Sequence, residues 1–167
     1  MRISGKVWKF GDDINTDLIF PHHALRLSPD EQAKMVFSDN RPGWTDSVSP
    51  GDLIVAGKNF GTGSARPGSI ILKHLGLGGM IADSMNGIFF RNCIGYGFPA
   101  LQCGGVSGMF EEGDRAEFDL LTGEVKNLTT GAVLRGNPLS EKMTEMIAAG
   151  GIDGFLIRNG FVKPENK

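Results

Sequence analysis

Short apolar runs alternate with stretches of helical spacing along the earlier part of the chain, and apolar–polar alternation replaces them towards the end. Ile3, Val7 and Phe10, with polar residues between, predict a first strand that runs into the polar turn Gly11–Asp17. Ser28-Pro29-Asp30-Glu31, with proline and acids in its first turn, starts a helix that Gln32 to Phe37 continue and Asn40-Arg41-Pro42-Gly43 ends. Trp44 to Pro50 reads as polar and irregular. Leu53-Ile54-Val55-Ala56 has the length and β-branching of a buried strand, Ser69–Leu75 is helical, and Met80–Asp83 is a second short buried strand, so this region is a βαβ unit. Ser84 is placed to cap the next helix, which carries Ile88, Phe89 and Ile94 and stops at Gly95 and Gly97. Pro99-Ala100-Leu101 opens a third apolar run.

From Glu111 acidic residues interleave with Ala116, Phe118, Leu120 and Val125, which together with Leu121-Thr122-Gly123-Glu124 predicts a solvated hairpin; Thr129-Thr130-Gly131 should start its third strand. Pro138-Leu139-Ser140-Glu141 begins a helix bearing Met143, Met146 and Ile147, and Gly150-Gly151 separates it from a last helix over Ile152–Asn159. The tail from Lys163 to Lys167 should fray. Helices interleaved with strands early and a hairpin late predict an α/β fold, a compact mixed sheet with helices packed outside.

The stretch between the first buried strand and its helix, Gly57-Lys58-Asn59-Phe60-Gly61-Thr62-Gly63-Ser64-Ala65-Arg66-Pro67-Gly68, carries the chemistry. Gly61 and Gly63 admit φ > 0 and close approach of a ligand, and the new helix turns its unpaired N–H groups towards the same space, which suits an anion. Pro67 fits the first helical turn and biases Arg66 to an extended conformation, leaving Ser64 and Arg66 in the turn ahead of the helix. Phosphate-loop patterns fail on spacing. A dinucleotide fingerprint needs a glycine where Arg66 stands, and no window supplies Gly-Lys-Ser/Thr after four spacers. What remains is a carboxylate site, with Arg66 as a bidentate fork and Ser64 as proton acceptor or donor. A tight turn whose serine merely caps the helix is the alternative.

Asn59-Phe60-Gly61-x-Gly63-Ser64-x-Arg66, with Phe10-x-Asp12-Asp13-Ile14-Asn15-Thr16-Asp17 upstream and Ser84-x-x-x-Ile88-Phe89-x-Arg91-Asn92 downstream, resembles the small subunit of isopropylmalate isomerase and homoaconitase. That subunit is the free-standing version of the swivelling last domain of aconitase, and the resemblance runs over essentially the whole chain. It implies one aconitase swivel-type β/β/α domain over residues 1–167, its sheet a partly closed barrel. It further implies a hydro-lyase that isomerises 2- and 3-isopropylmalate in leucine biosynthesis. No cofactor is expected in this chain; a [4Fe–4S] cluster is expected in a separate large subunit, the partner without which the chain is inactive. By motif, Ser64 would be the base and Arg66 the carboxylate holder. Gly63, Leu25 and Arg26 would contact substrate, and Asn15, Thr16 and Asp17 would line the cleft. A homoaconitase subunit, a dimethylmaleate or methylmalate hydratase subunit, and a non-catalytic organic-acid-binding paralogue are the alternatives.

The chain departs from the family pattern in places. It has Ser64-Ala65-Arg66-Pro67 where Ser-Ser-Arg-Glu is usual, Thr62 where cysteine is common, and Asn86-Gly87 where relatives have Ala-Arg. The substrate loop reads Ala24-Leu25-Arg26. Ala24, where relatives carry tyrosine, should leave room for substrate, and Arg26 should meet a distal carboxylate or else pair with Asp30.

Composition narrows the classes. Lys+Arg 17 against Asp+Glu 19, with no basic run, argue against nucleic acid as a partner. No window reaches the roughly 18 consecutive apolar residues of a membrane span and no apolar leader opens the chain, so a cytoplasmic location is expected. Cys93 and Cys103 are too few to hold a cluster and should be core residues. No metal site is expected: adjacent His22 and His23 point different ways, the Asp-rich turn at 12–17 lacks the spacing of a calcium loop, and His74 is a packed or surface residue.

Overall fold

The computed structural model describes residues 1–63 and 67–163. Strand β1 (Arg2–Lys9) is the pivot of a seven-stranded mixed sheet. On one side it pairs in parallel with β2 (Leu53–Ala56), which continues to β3 (Gly79–Ala82) and β4 (Ala100–Gln102). On the other it pairs antiparallel with β5 (Arg115–Asp119), followed by β6 (Glu124–Asn127) and β7 (Val133–Arg135). The parallel half is the βαβ arrangement expected from the apolar runs, with α3 (Gly68–His74) and α4 (Gly87–Gly95) as crossovers.

Every residue of β2 and β3 is buried, which requires cover on both faces. Successive side chains therefore divide between two cores. Ile54 and Ala56 join Trp8, Phe10, Phe20, Phe37, Phe60 and Phe89 in one. Leu53 and Val55 join Val7, Ile81, Leu101, Phe118 and Val125 in the other. The aromatic side is closely interlocked: Phe10 stacks on Phe37 at 4.2 Å and Trp44 meets Phe37 edge-on at 5.0 Å. The second core gathers residues from both the parallel and the antiparallel half, so the sheet curls around it. Just beyond β7 the Asn137 N–H donates to the Gln102 carbonyl of β4 at 2.8 Å, and a Cβ on Gly136 would lie 2.4 Å from that same oxygen. The two end strands thus meet at one corner, giving the partly closed barrel expected with helices outside.

Several boundaries differ from the sequence reading. Asn86, not Ser84, caps α4, accepting the Ile88 N–H at 2.9 Å. Residues 129–131 form a turn before β7, organised by Asn127 Oδ1, which accepts the N–H groups of Thr129 and Thr130. Helix α2 (Pro29–Lys34) begins with the expected Ser28–Glu31 capping box but stops early, because the chain turns through Phe37 at φ 56°. Short helices stand in stretches read as a polar turn, a substrate loop and irregular chain, namely α1 (Thr16–Ile19) and 3-10 turns at His22–Arg26 and Trp44–Asp46, and α5 (Val106–Met109) follows β4. The last helices, α6 (Glu141–Ala148) and α7 (Ile152–Arg158), fall where the glycine pair at 150–151 separates them. Of the expected frayed tail, all but Lys163 lies outside the described residues.

Candidate functional site at the strand ends

In parallel sheets, ligands collect at the carboxyl ends of the strands, where loops leave in different directions. Here the loops following β1, β2 and β3 are laced together at that end. The β1 and β2 loops run side by side: Gly57 N–H donates to Gly11 O at 3.2 Å, Asp13 N–H to Lys58 O at 2.8 Å, Gly61 N–H to Ile14 O at 2.7 Å, and Thr16 N–H to Thr62 O at 2.8 Å. Asp12 Oδ1 accepts the Lys58 N–H at 2.7 Å. The β3 loop closes the other flank, where Phe60 N–H donates to Ser84 O at 3.1 Å and Asn86 N–H to Phe60 O at 2.8 Å. Further out, Met85 N–H donates to Gln102 Oε1 at 2.8 Å, and Asp83 holds Ser107 through its N–H and hydroxyl at 3.0 and 2.8 Å.

The two loop glycines are required by contact as well as by conformation. Gly61 has φ 77°, and a Cβ there would come within 2.3 Å of the Phe89 ring. Gly63 has φ 116°, and its Cβ would meet Thr16 Oγ1 at 2.6 Å. Thr16 is buried in the first turn of α1, whose cap is Asn15, accepting the Leu18 N–H at 3.0 Å. The fold thereby brings Asn15, Thr16 and Gly63 together, with exposed Asp17 next along α1. Ser64 and Arg66 lie outside the described residues. The chain on either side of them is anchored, at Thr62 to the β1 loop and at Pro67, whose carbonyl accepts the Ile71 N–H at 3.1 Å in the N-cap position rather than inside the helix.

Leu25 and Arg26 stand exposed on the 3-10 turn, which Gln32 Nε2 secures by donating to the carbonyls of Leu25 and Leu27 at 3.5 and 3.0 Å. No hydrogen bond or ion pair among the described residues joins either side chain to the β2 loop. Ala24 is a correction to the sequence reading: it is fully buried in the aromatic core and offers no room to a ligand. Asp30 pairs with His74, at 2.9 Å, rather than with Arg26. His22 and His23 are exposed, and Asp12 and Asp13 both serve as acceptors for the β2 loop. Gly87, one of the departures from the family pattern, has open space at its Cβ position.

No three His, Cys, Asp or Glu side chains among the described residues are grouped as a metal would need. Cys93 and Cys103 are buried in opposite cores, and burial raises both thiol pKa values, with the Asp83 carboxylate adding to the rise at Cys103. Thiolates are therefore disfavoured at both positions, and neither side chain suits an iron–sulfur cluster. No helix among the described residues is long and apolar enough to cross a membrane.

Residues 14–103, which hold the β2 and β3 loops and the end of the β1 loop, match the aconitase C-terminal domain family. The chain belongs to that family. Among its relatives in this aconitase group is the isopropylmalate/citramalate isomerase small subunit of Methanocaldococcus jannaschii, 46% identical over 156 residues, covering 92% of this chain and 93% of that one. The 3-isopropylmalate dehydratase small subunit of Thermodesulfovibrio yellowstonii is 43% identical, covering 91% of this chain and 92% of its own. The methanogen homoaconitase small subunit of Methanothermobacter thermautotrophicus is 40% identical, covering 93% and 91% respectively. A crystal structure of 3-isopropylmalate dehydratase from M. jannaschii superposes with a TM-score of 0.88 at 33% identity, covering 96% of each chain. The family expected from the three motifs and the fold expected with it are both borne out. What the sequence reading missed in the aconitase-type site is the work of Asn59, Asp13 and Ser84. Asn59 was the legible signal, a residue tolerant of φ > 0 between two glycines.

Proposed function

We propose that this chain is the small subunit of a two-component hydro-lyase that interconverts 2- and 3-isopropylmalate by dehydration and rehydration, in leucine biosynthesis, acting as one swivel-type domain over residues 1–167 in the cytoplasm. Its partner would be a large subunit carrying a [4Fe–4S] cluster, which when bound supplies Lewis acidity to the substrate hydroxyl and a carboxylate. The residues of this chain do the proton chemistry and the orientation. Ser64, as alkoxide, takes the proton from the substrate carbon while hydroxide departs from its neighbour and the double bond forms, and the protonated Ser64 returns that proton to carbon as hydroxide adds to the other end of the double bond. A serine is a weak base at its free pKa, so the N–H groups of the turn and the Arg66 guanidinium must hold its oxyanion. Arg66 also grips a substrate carboxylate in a planar fork. Gly63 allows substrate to approach the backbone, Asn15, Thr16 and Asp17 line the cleft, and Leu25 and Arg26 read the substrate side chain.

The observation that carries this reading is the meeting of strand-end loops at Gly63, next to the motif's serine, in a chain nearly half identical to a named isomerase small subunit. A second reading, a homoaconitase subunit, draws support from Arg26, an exposed cation on the 3-10 turn that could meet the distal carboxylate of a longer acid. The test is reconstitution with the large subunit. Ser64→Ala should fold and still compete for the large subunit, yet lower turnover at least about a hundredfold, within the range expected for loss of a general base. Arg66→Lys should chiefly raise KM. If Ser64→Ala melts the chain while its folded fraction turns over normally, Ser64 serves only the structure of the turn and the mechanism fails.

A further inference from the structure

Two non-glycine residues of the site hold left-handed backbone conformations, Asp13 at φ 57° and Asn59 at φ 60°, and they face one another. Asn59 Nδ2 donates to Asp13 Oδ1 at 2.8 Å. From the opposite side the hydroxyl of Ser84 accepts the Asn59 backbone N–H at 2.9 Å. The Asp13 N–H in turn donates to Lys58 O, at 2.8 Å, so Asp13 holds the β2 loop by main chain and side chain at once. One residue from each of three loops, following β1, β2 and β3, is thereby locked at a single point. Left-handed backbone is uncommon at residues other than glycine, and it persists where surrounding contacts dictate it.

The turn that follows needs such a lock. After Asn59 the chain passes Phe60, fully buried against Phe89 at 5.3 Å, and then the two positive-φ glycines Gly61 and Gly63. A glycine-rich segment has little conformational preference of its own, so its course is set by its ties, first at Asn59 and then at Phe60, Gly61 and Thr62, whose backbones bond to the β3 and β1 loops. We infer that Asn59, clamped between Asp13 and Ser84, is a positioning residue that fixes the direction in which the β2 loop delivers Ser64 and Arg66 to substrate. Asn59 touches no reacting atom; it acts through the loop. The inference rests on the proposed roles of Ser64 and Arg66. A displacement of about 1 Å in a reacting group is enough to cost up to about a hundredfold in rate, which makes a tie five residues away consequential.

Asn59→Gly is the sharpest probe, because glycine keeps the left-handed backbone and the N–H bond to Ser84 while removing the tie to Asp13. In the complex with the large subunit it should lower kcat about ten- to a hundredfold, with a smaller change in KM and unchanged affinity between the subunits. Asn59→Asp places two carboxylates face to face and should be impaired as well. The exchange Asp13→Asn with Asn59→Asp restores an amide–carboxylate pair in reverse and should recover kcat to within about threefold of the native complex. Added to Ser64→Ala, Asn59→Gly should lower the residual rate by less than it lowers the native rate, since the share of the positioning that acted through Ser64 is gone and only that through Arg66 is left. Native kcat in Asn59→Gly, with Ser64→Ala inactive, would overturn the inference and leave the Ser64 mechanism standing. Normal turnover in Ser64→Ala would instead remove the mechanism itself. A loss in Asn59→Gly that persists undiminished in the Ser64→Ala background would make Asn59 a structural residue only.

Discussion

At the scale of single residues, Gly63 and Arg26 make opposite kinds of demand on the site. Gly63 is fixed by its surroundings: it combines φ 116° with a would-be Cβ 2.6 Å from the hydroxyl of buried Thr16. Gly63→Ala should therefore destabilise the chain by about 1–3 kcal/mol, the usual cost of such backbone, and lower turnover in the complex. Thermal melting of Gly63→Ala with and without Thr16→Ala separates the two causes, since the second change relieves the collision and leaves the backbone strain. Arg26 is free of comparable constraint, exposed on a 3-10 turn, and its partner of choice, Asp30, is taken by His74. Arg26→Val should leave stability within about 0.5 kcal/mol, as at other surface sites. If Arg26 meets a distal carboxylate, kcat/KM for a homoaconitate-type acid should fall by about 1–3 kcal/mol relative to isopropylmalate. An equal effect on both acids would show that the 3-10 turn does not select by charge.

At the scale of elements, what could be read from the chain was whatever the local pattern determines. The buried strands β2 and β3, the crossovers α3 and α4, the capping box of α2 and the Gly150-Gly151 break all announce themselves through apolar runs, caps and glycines. What could not be read depends on distant partners. Helix α1 is four residues long and owes its place to Asn15 and to the Thr16–Thr62 bond from another loop. Ser84 looks like a cap but spends its hydroxyl on Asn59, leaving Asn86 to cap α4. The corner where β7 returns to β4 has no local signature either. Arg41 illustrates such a remote tie. From the loop after α2 it donates to Lys9 O at 3.2 Å at the end of β1 and pairs with Glu112 in the turn before β5. The hydrogen bond from Arg41, outweighing desolvation, holds the Glu112 carboxyl below its ordinary pKa. A lowered carboxylate pKa contributes stability that is present above the unfolded value, near 4.5, and is lost as pH falls through the lower folded value. Arg41→Met should thus cost about 1 kcal/mol or less at neutral pH, as for partly exposed pairs, and the gap in Tm should close as melts are taken below pH 4.5. A gap that stays constant down to pH 3, on the order of a full unit below the ordinary carboxylate range, would assign the role of Arg41 to its stacking over Trp8 and Phe10 instead.

At the scale of the whole molecule, the chain's chemistry is divided between what it holds and what it must be given. It presents laced strand-end loops, on which the proposed base and arginine would stand, while its two thiols are locked in the cores: Cys93 and Cys103 are 0% and 1% exposed. Burial raises their pKa values, so at neutral pH both remain thiols, the form that neither ligates iron nor attacks electrophiles readily. The sensitivity to oxidants and alkylating reagents that an exposed iron–sulfur enzyme would show should then belong to the large subunit alone. We expect the isolated chain, treated with iodoacetamide or held in air, to show no turnover by itself and no mass increase at either cysteine. Mixed afterwards with anaerobically prepared large subunit, it should restore the same activity as untreated chain, and that activity should rise with the iron content of the large subunit. The measurement pairs intact-mass analysis of the treated chain with the initial rate after mixing. Turnover by the isolated, iron-free chain would contradict the two-component reading. Alkylation of Cys103 under native conditions, with loss of activity on mixing, would show that the core beside β4 opens and that the chain is less rigid than its packing implies.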